Sequence, residues 1–419
     1  MGDVQATIEA IWRIEAPRLV ARLTRLVGDL ATAEDIAQDT FVTALSRWPS
    51  TGIPDNPGGW LWSAARHGAI DLIRRRDRQH DKYQTLGVSP DTVENDMEAL
   101  IEQRDIGDDL LGLIFMTCHP ILSPDARVAL TLRSVGGLTT GEIAKAYLTT
   151  EATIQQRIVR AKRTLSNAGV RFEVPDQRQR SERLSSVMEV VYLIFNEGYA
   201  ATAGDQWVRA ELCTQAMRLG RVLSTLVPDH TEALGLVALM ELQASRLRAR
   251  TGPDGEAILL ADQDRTRWDR LLIEHGLRAL ERADARGGGR GPYVLQAKLA
   301  ACHARARSVD ATDWVLMVAI YDTLSLVAPS PVVEINRAVA LGMAYGPAAG
   351  LALADQLVDV PALQANYLLP AIRGDLLHRL GRHREAHDEF QRAAALTGND
   401  RERDTLAGRA RDCATHDEL

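Results

Sequence analysis

Across almost the whole chain, apolar residues recur three and four positions apart with Ala, Leu, Arg and Glu between them, while strand-like alternation is scarce. That feature restricts the chain to helices packed on helices, an all-α class. With 419 residues, 46% hydrophobic and 25% charged, there is enough apolar surface for about two or three cores. The same balance sets it apart from disordered, fibrous and membrane classes. The most apolar long window, residues 314–328, is broken by Asp322, Thr323 and Ser325 and falls short of the roughly 20 residues a spanning helix needs. Four cysteines, Cys118, Cys213, Cys302 and Cys413, stand far apart without a CxxC pair. Neither a disulfide framework nor a metal site is expected from them, and a reducing cytoplasm is the expected compartment.

Turn-rich breaks at residues 49–59, 87–98 and 170–183 divide the chain. The predicted blocks are residues 1–85, a linker at 86–104, residues 105–170, and a long block over 180–412. In the last block, turn markers at Pro228, Gly287 to Pro292, Pro329, Pro361 and Gly398 fall near multiples of the roughly 34 residues of a helix-turn-helix solenoid repeat. The best single copy is 367–397, with Leu380, Gly381, Ala386, Phe390 and Ala393 at tetratricopeptide-like positions. An unrelated helical domain with chance spacing is the alternative. Both readings give stacked helix pairs.

A formal net charge of -7 confines any nucleic-acid contact to a local patch. One stretch stands out: residues 152–172 hold Arg157, Arg160, Lys162 and Arg163 but no carboxylate. A helix is predicted just before it, at 142–147, then a turn, then a second helix capped by the Thr150 hydroxyl. Ile143, Ala144, Ile154, Ile158, Ala161 and Leu165 should close a small core, leaving Glu151, Thr153, Gln155, Gln156, Arg157 and Arg160 outward. Gln and Arg make bidentate bonds to base edges in a major groove, while Lys162 and Arg163 suit phosphates. A solvated basic helix is the bland alternative.

In the first block a helix over 31–49 is expected to turn Ile36, Phe41, Val42 and Leu45 inward and Asp35, Gln38, Asp39 and Thr40 outward. After the loop, residues 56–78 bring Trp60, Trp62, Arg66 and His67 together with Arg74, Arg75 and Arg76. Aromatic planes among cations suit opened DNA, where bases stack and phosphates pair with guanidinium groups. A core role for one tryptophan or both, and a solvated helix end for the arginine run, stay open.

Taken together, AEDIAQDTF, WLWSAARHGAIDLIRRR and GEIAKAYLTTEATIQQRIVRAKRTL resemble the sigma-70 family of transcription initiation factors, specifically its extracytoplasmic-function group, over most of residues 10–166. The resemblance implies two small helical sigma domains, the second carrying the helix-turn-helix. It implies that Asp35, Gln38, Asp39 and Phe41 dock on the clamp helices of the RNA polymerase largest subunit. It assigns capture of an extruded minus-ten base to the loop at 50–59, which includes Asn56, and melting and reading of that element to residues 60–76. Residues 150–162 match the helix that reads the minus-thirty-five element. Leu148 stands where the family's turn usually has glycine.

The stretches NEGY, DQDRTRWD, GPYVLQAKLAACHA and SPVVEINRAVA resemble the tetratricopeptide-like C-terminal extension of a subgroup of these factors. Asn196, Glu197, Tyr199, Asp262, Asp264, Arg265, Trp268, His303, Asn336 and Arg337 in that extension are read either as an interhelix network or as a docking surface. The expected partners are core RNA polymerase and promoter DNA, with a contact between the extension and the sigma domains. No cofactor, metal, membrane segment or catalysis is expected. The sequence shows no Gly-rich phosphate loop, and the adjacent Cys118-His119 and Cys302-His303 pairs read as packing residues. A different class of function, a helical-repeat regulator that binds DNA without joining polymerase, predicts no role for the helix at 35–41.

Overall fold

The computed structural model describes residues 2–81, 106–147, 149–173, 175, 177–199, 209–252, 258, 260–398 and 400–416. The predicted linker at 86–104 and Leu148 lie outside them. Helices fill the described residues and no strand is formed. The chain divides into two compact units, Met1–Val191 and Tyr192–Leu419.

The first unit opens with helices Gly2–Val27, Leu30–Thr51 and Pro57–Asp81. Asp29 starts the second of them: its carboxylate accepts from the Thr32 amide at 2.8 Å and the Thr32 hydroxyl at 2.6 Å. The buried stripe of that helix is Leu30, Ala33, Ile36, Ala37, Thr40, Ala44 and Trp48. This corrects the predicted face at two positions, because Val42 is 59% exposed and Thr40 only 5%. Small residues at three- and four-residue spacing set the inward face, and the Thr40 hydroxyl is satisfied by donating to Ile36 O at 2.8 Å. Phe41 is half-buried, stacked on Trp12 with ring centroids 4.6 Å apart. The loop is also shorter than its composition implies. The helix continues through Pro49 to Thr51, where the Ser50 and Thr51 hydroxyls both donate to Arg47 O, and Gly52 turns the chain at φ +84°.

Helices Ile106–Thr117, Pro124–Ser134, Thr140–Ala146 and Glu151–Asn167 follow, around the buried Leu113, Phe115, Leu130 and Leu132. Arg25 and the buried Asp109 form an ion pair of 3.2 Å between the first helix and this group. The boundary of the unit falls later than the polar stretch at 170–183 implies. The early turns of helix Gln177–Tyr199 are tied into the unit: Arg127 donates to Ser186 Oγ at 2.7 Å and Glu189 Oε2 at 3.0 Å, and Ser186 donates to Cys118 O at 2.8 Å.

The second unit is a succession of helices, each packed on its chain neighbours, from Ala210–Leu226 to Asp400–His416. Its polar motifs finish helix ends. Asp264 caps the short turn Arg265–Arg267, and Asp269 caps Arg270–Ala285. Helix Pro292–Arg305 has no cap of its own, and the Glu232 carboxylate supplies one, accepting from the Tyr293 and Val294 amides at 2.8 and 3.2 Å. Gly291 leaves room for it, since a Cβ would lie 2.0 Å from Glu232 Oε1 and would push the carboxylate off this cap. In the predicted repeat copy, helices Leu368–Arg379 and His383–Leu396 are joined through Gly381 at φ +74°, with Ala386, Phe390 and Ala393 buried.

Most of the polar residues singled out in this unit are engaged within it. Arg209 and Glu197 form an ion pair whose side chains are 7% and 14% exposed. Tyr199 OH accepts from Arg246 at 2.7 Å, Arg265 donates to His303 O and Ala306 O, and Arg337 bridges Asp322 and Glu334. Trp268 is buried, whereas Asp262 and Asn336 are exposed. This pattern fits the interhelix-network reading of these residues. Arg209→Met removes a buried countercharge of Glu197 and is expected to destabilise the unit by about 2 kcal/mol in urea unfolding; adding Glu197→Gln should restore part of that loss.

Burial, with Arg246 and Arg265 nearby, lowers the His303 imidazole to about 3. A histidine depressed in the folded state contributes stability above its unfolded value near 6.5 and loses it as pH falls toward the folded value. Stability should therefore drop by about 2 kcal/mol between pH 6 and 4.5, and His303→Gln should flatten that part of the profile.

Candidate nucleic-acid interface

The helix-turn-helix forms as its periodicity implies. Thr139 begins helix Thr140–Ala146 with a full capping box: its hydroxyl accepts from the Glu142 amide, and the Glu142 carboxylate accepts from the Thr139 amide at 2.7 Å. Thr150 begins helix Glu151–Asn167, its hydroxyl accepting from the Thr153 amide at 3.2 Å. Ile143, Ala144, Ile154, Ile158, Ala161 and Leu165 are all buried. Gln155, Gln156, Arg160 and Arg163 are exposed on the other side.

Several neighbours of that face have structural partners. Glu151 spans the turn, accepting from Thr140 Oγ1 at 2.5 Å and from Gln155 Nε2 at 3.4 Å. Thr153 bonds the Thr150 hydroxyl at 2.8 Å. Arg157 lies 3.3 Å from Asp125, an exposed pair of about 0–1 kcal/mol that does not hold the guanidinium back from a phosphate or a base. Lys162 is different. It is ion-paired with Glu34 of helix Leu30–Thr51, and Ser134 Oγ donates to the same carboxylate at 2.6 Å. Both charged side chains are largely buried, at 21% and 16% exposure. Glu34 was not among the residues the sequence reading selects.

Asp35, Gln38 and Asp39 are exposed along helix Leu30–Thr51. Asn56 starts helix Pro57–Asp81, its side-chain oxygen accepting from the Gly59 amide at 2.9 Å. Next to it opens a cleft of about 330 Å³ lined by Glu15, Arg18, Arg22, Asn56, Gly58 and Trp62, among others. The Arg22 guanidinium stacks 3.8 Å above the Trp62 ring. Burial lowers the Arg22 pKa while the Asp109 charge opposes the shift. Arg18 and Arg22 are cations that the sequence reading misses, although their four-residue spacing places them on one helix face.

The two tryptophans have different roles. Trp60 packs edge-on against the buried Trp48, with centroids 5.3 Å apart, whereas Trp62 faces the cleft. Arg66 is half-buried; His67 is exposed, with Nδ1 2.6 Å from Ser63 O. Arg74, Arg75 and Arg76 lie on helix Pro57–Asp81, but their side chains are outside the described ones. Cys118 is buried, its thiol pushed up to about 11 by burial, consistent with a packing role.

Residues 11–79 match sigma-70 region 2, and residues 113–165 match sigma-70 region 4. The chain belongs to the sigma-70 family. Residues 183–284 of this sigma factor match a further family of unknown function (DUF6596). An uncharacterized protein of Rhizobium meliloti (strain 1021) is 41% identical over 384 residues, covering 91% of this chain and 90% of its own length. The probable ECF RNA polymerase sigma factor SigI of Mycobacterium tuberculosis (strain ATCC 25618 / H37Rv) is 27% identical over 173 residues, 41% of this chain and 59% of its own. The ECF RNA polymerase sigma factor SigC of Mycobacterium tuberculosis (strain CDC 1551 / Oshkosh) is 29% identical over 164 residues, 39% of this chain and 78% of its own. Members of this family are transcription initiation factors that work with RNA polymerase and bind DNA, and they catalyse no covalent step. Among the described residues, no helix is long and apolar enough to cross a membrane.

Proposed function

We propose that this sigma factor is a promoter-specificity subunit of the extracytoplasmic-function type, acting in the cytoplasm with core RNA polymerase. The observation that carries the reading is the two-sided recognition helix: a fully buried apolar stripe from Ile154 to Leu165 opposite exposed Gln155, Gln156, Arg160 and Arg163. Amide and guanidinium groups there read base edges of the minus-thirty-five element, with Arg157 alongside, and Arg163 and a released Lys162 hold phosphates. Thr150, Glu151 and Thr153 position the start of that helix. Asp35, Gln38 and Asp39 face the polymerase, with Phe41 behind them on Trp12.

The cleft beside Asn56 receives an unstacked base of the minus-ten element, with Trp62 as a stacking surface and Arg18 and Arg22 toward the phosphates. His67, Arg66 and Arg74 to Arg76 continue this path, and Trp60 supports it from the core. Base extrusion costs a few kcal/mol, which stacking of about 1–3 kcal/mol per base and cation contacts offset. The tetratricopeptide-like extension controls activity through contact with the sigma regions or polymerase.

The test is reconstitution. Purified chain added to core polymerase should yield transcription from promoters sharing two upstream elements, and a polypeptide that never joins the core enzyme refutes the proposal. A truncation after Val191, which keeps the Ser186 and Glu189 partners of Arg127, tests the extension. An unchanged promoter response would remove its regulatory role.

A further inference from the structure

Three helices of the second unit converge on a cluster that the sigma reading does not use. His378 lies in the last turn of helix Leu368–Arg379, His383 is the first residue of helix His383–Leu396, and Cys413 lies near the end of Asp400–His416. His378 Nδ1 is 3.2 Å from His383 Nδ1 and 3.4 Å from Cys413 Sγ. One ligand atom from each residue lies within 4.8 Å of the others, the one such His/Cys/Asp/Glu group among the described residues. Cys413 is 1% exposed and both imidazoles are half-buried.

Those separations are informative. Zinc bonds of about 2.0 Å to nitrogen and about 2.3 Å to sulfur, set at tetrahedral angles, put neighbouring ligands about 3.3 Å (N to N) and about 3.5 Å (S to N) apart. Two edges of that tetrahedron are thus nearly in place before any rearrangement. We propose that His378, His383 and Cys413 form a binding site for a zinc-class divalent cation. One thiolate and two imidazoles suit Zn²⁺ and disfavour Mg²⁺ and Ca²⁺, which take oxygen ligands. Binding replaces the thiol proton, which leaves to solvent, and a water completes the fourth position. The bound ion fastens the terminal helix, whose Leu406, Ala410 and Cys413 face inward, to the two helices before it. His387 is a built-in control: it sits one turn from His383, but its Nδ1 is 2.8 Å from Ala410 O.

Co²⁺ added to chelator-stripped full-length chain is the test, since a cobalt–thiolate bond gives a charge-transfer band in the near ultraviolet. One Co²⁺ per chain should produce this band, Zn²⁺ should displace it, and Mg²⁺ should have no effect. Cys413→Ser should abolish the band, His378→Gln and His383→Gln should each weaken binding at least about tenfold, and His387→Gln should leave it unchanged. No band with the wild-type chain means a hydrogen-bonded trio only and overturns the proposal. A band that survives Cys413→Ser, or affinity untouched by both histidine changes, places the ion elsewhere and overturns it too. If Cys413→Ser fails to fold, His383→Gln at its half-exposed helix start decides the matter. The readout is metal binding alone, so it is independent of transcription.

Discussion

A chain carrying Asp35→Arg and Asp39→Arg is expected to bind core RNA polymerase about a hundredfold more weakly while keeping its helical content and thermal transition. Both carboxylates are exposed on helix Leu30–Thr51, so reversing their charge removes no buried contact. Placing like charges against a complementary surface costs several kcal/mol, and a loss of about 3 kcal/mol corresponds to the stated factor. These positions give a cleaner test than Phe41, whose ring stacks on Trp12 and whose loss would also cost packing. Competition for core polymerase against a labelled reference sigma factor measures the effect. Unchanged binding by the folded variant would favour a regulator that uses its helix-turn-helix without joining polymerase.

Replacing Glu34 with glutamine should raise the affinity of the chain alone for promoter DNA by about thirtyfold. Elements named for positions minus ten and minus thirty-five are about 25 base pairs apart, or about 85 Å at 3.4 Å per pair. On the proposed function, a chain in which Glu34 grips Lys162 could not occupy both at once, so reading a promoter would require this contact to open. Both side chains are largely buried in the pair. Neutralising one leaves the other ammonium without its countercharge, which favours release by about 2 kcal/mol. Asp125→Asn is the matched control, since it removes the same charge from an exposed pair with Arg157. Equal gains from both substitutions would reduce the effect to net charge. In the holoenzyme, Lys162→Gln should lower the slope of binding against salt by about one phosphate contact.

The parts legible in sequence are those set by local periodicity and capping. Six core positions of the helix-turn-helix, from Ile143 to Leu165, follow from 3.6-residue spacing, and the Thr150 cap from its place before the periodic run. The face of helix Leu30–Thr51 is harder to read because Ala33, Ala37, Thr40 and Ala44 define it, and small residues carry a weaker apolar signal than the exposed Val42. The loop after it reads too long because Pro49 and Ser50 resemble turn residues, while side-chain bonds to Arg47 O carry the helix through them.

Contacts across long sequence separations leave no local signature. Glu34 and Lys162 are 128 positions apart. His378 and Cys413 are separated by 35, unlike the short spacings by which metal ligands are recognised. The exposed residues proposed to meet polymerase follow from the family likeness, because exposure by itself does not specify a partner.

The Glu232 cap carries an implication for how the second unit is made. The start of helix Pro292–Arg305 is completed by a carboxylate 61 positions earlier, on a helix that must already be in place to offer it. During synthesis the later segment therefore lacks a finished beginning until its predecessor has settled, which favours assembly in the order of the chain, N-terminal helix first. An interrupted or reordered chain would expose an unfinished helix end to other molecules.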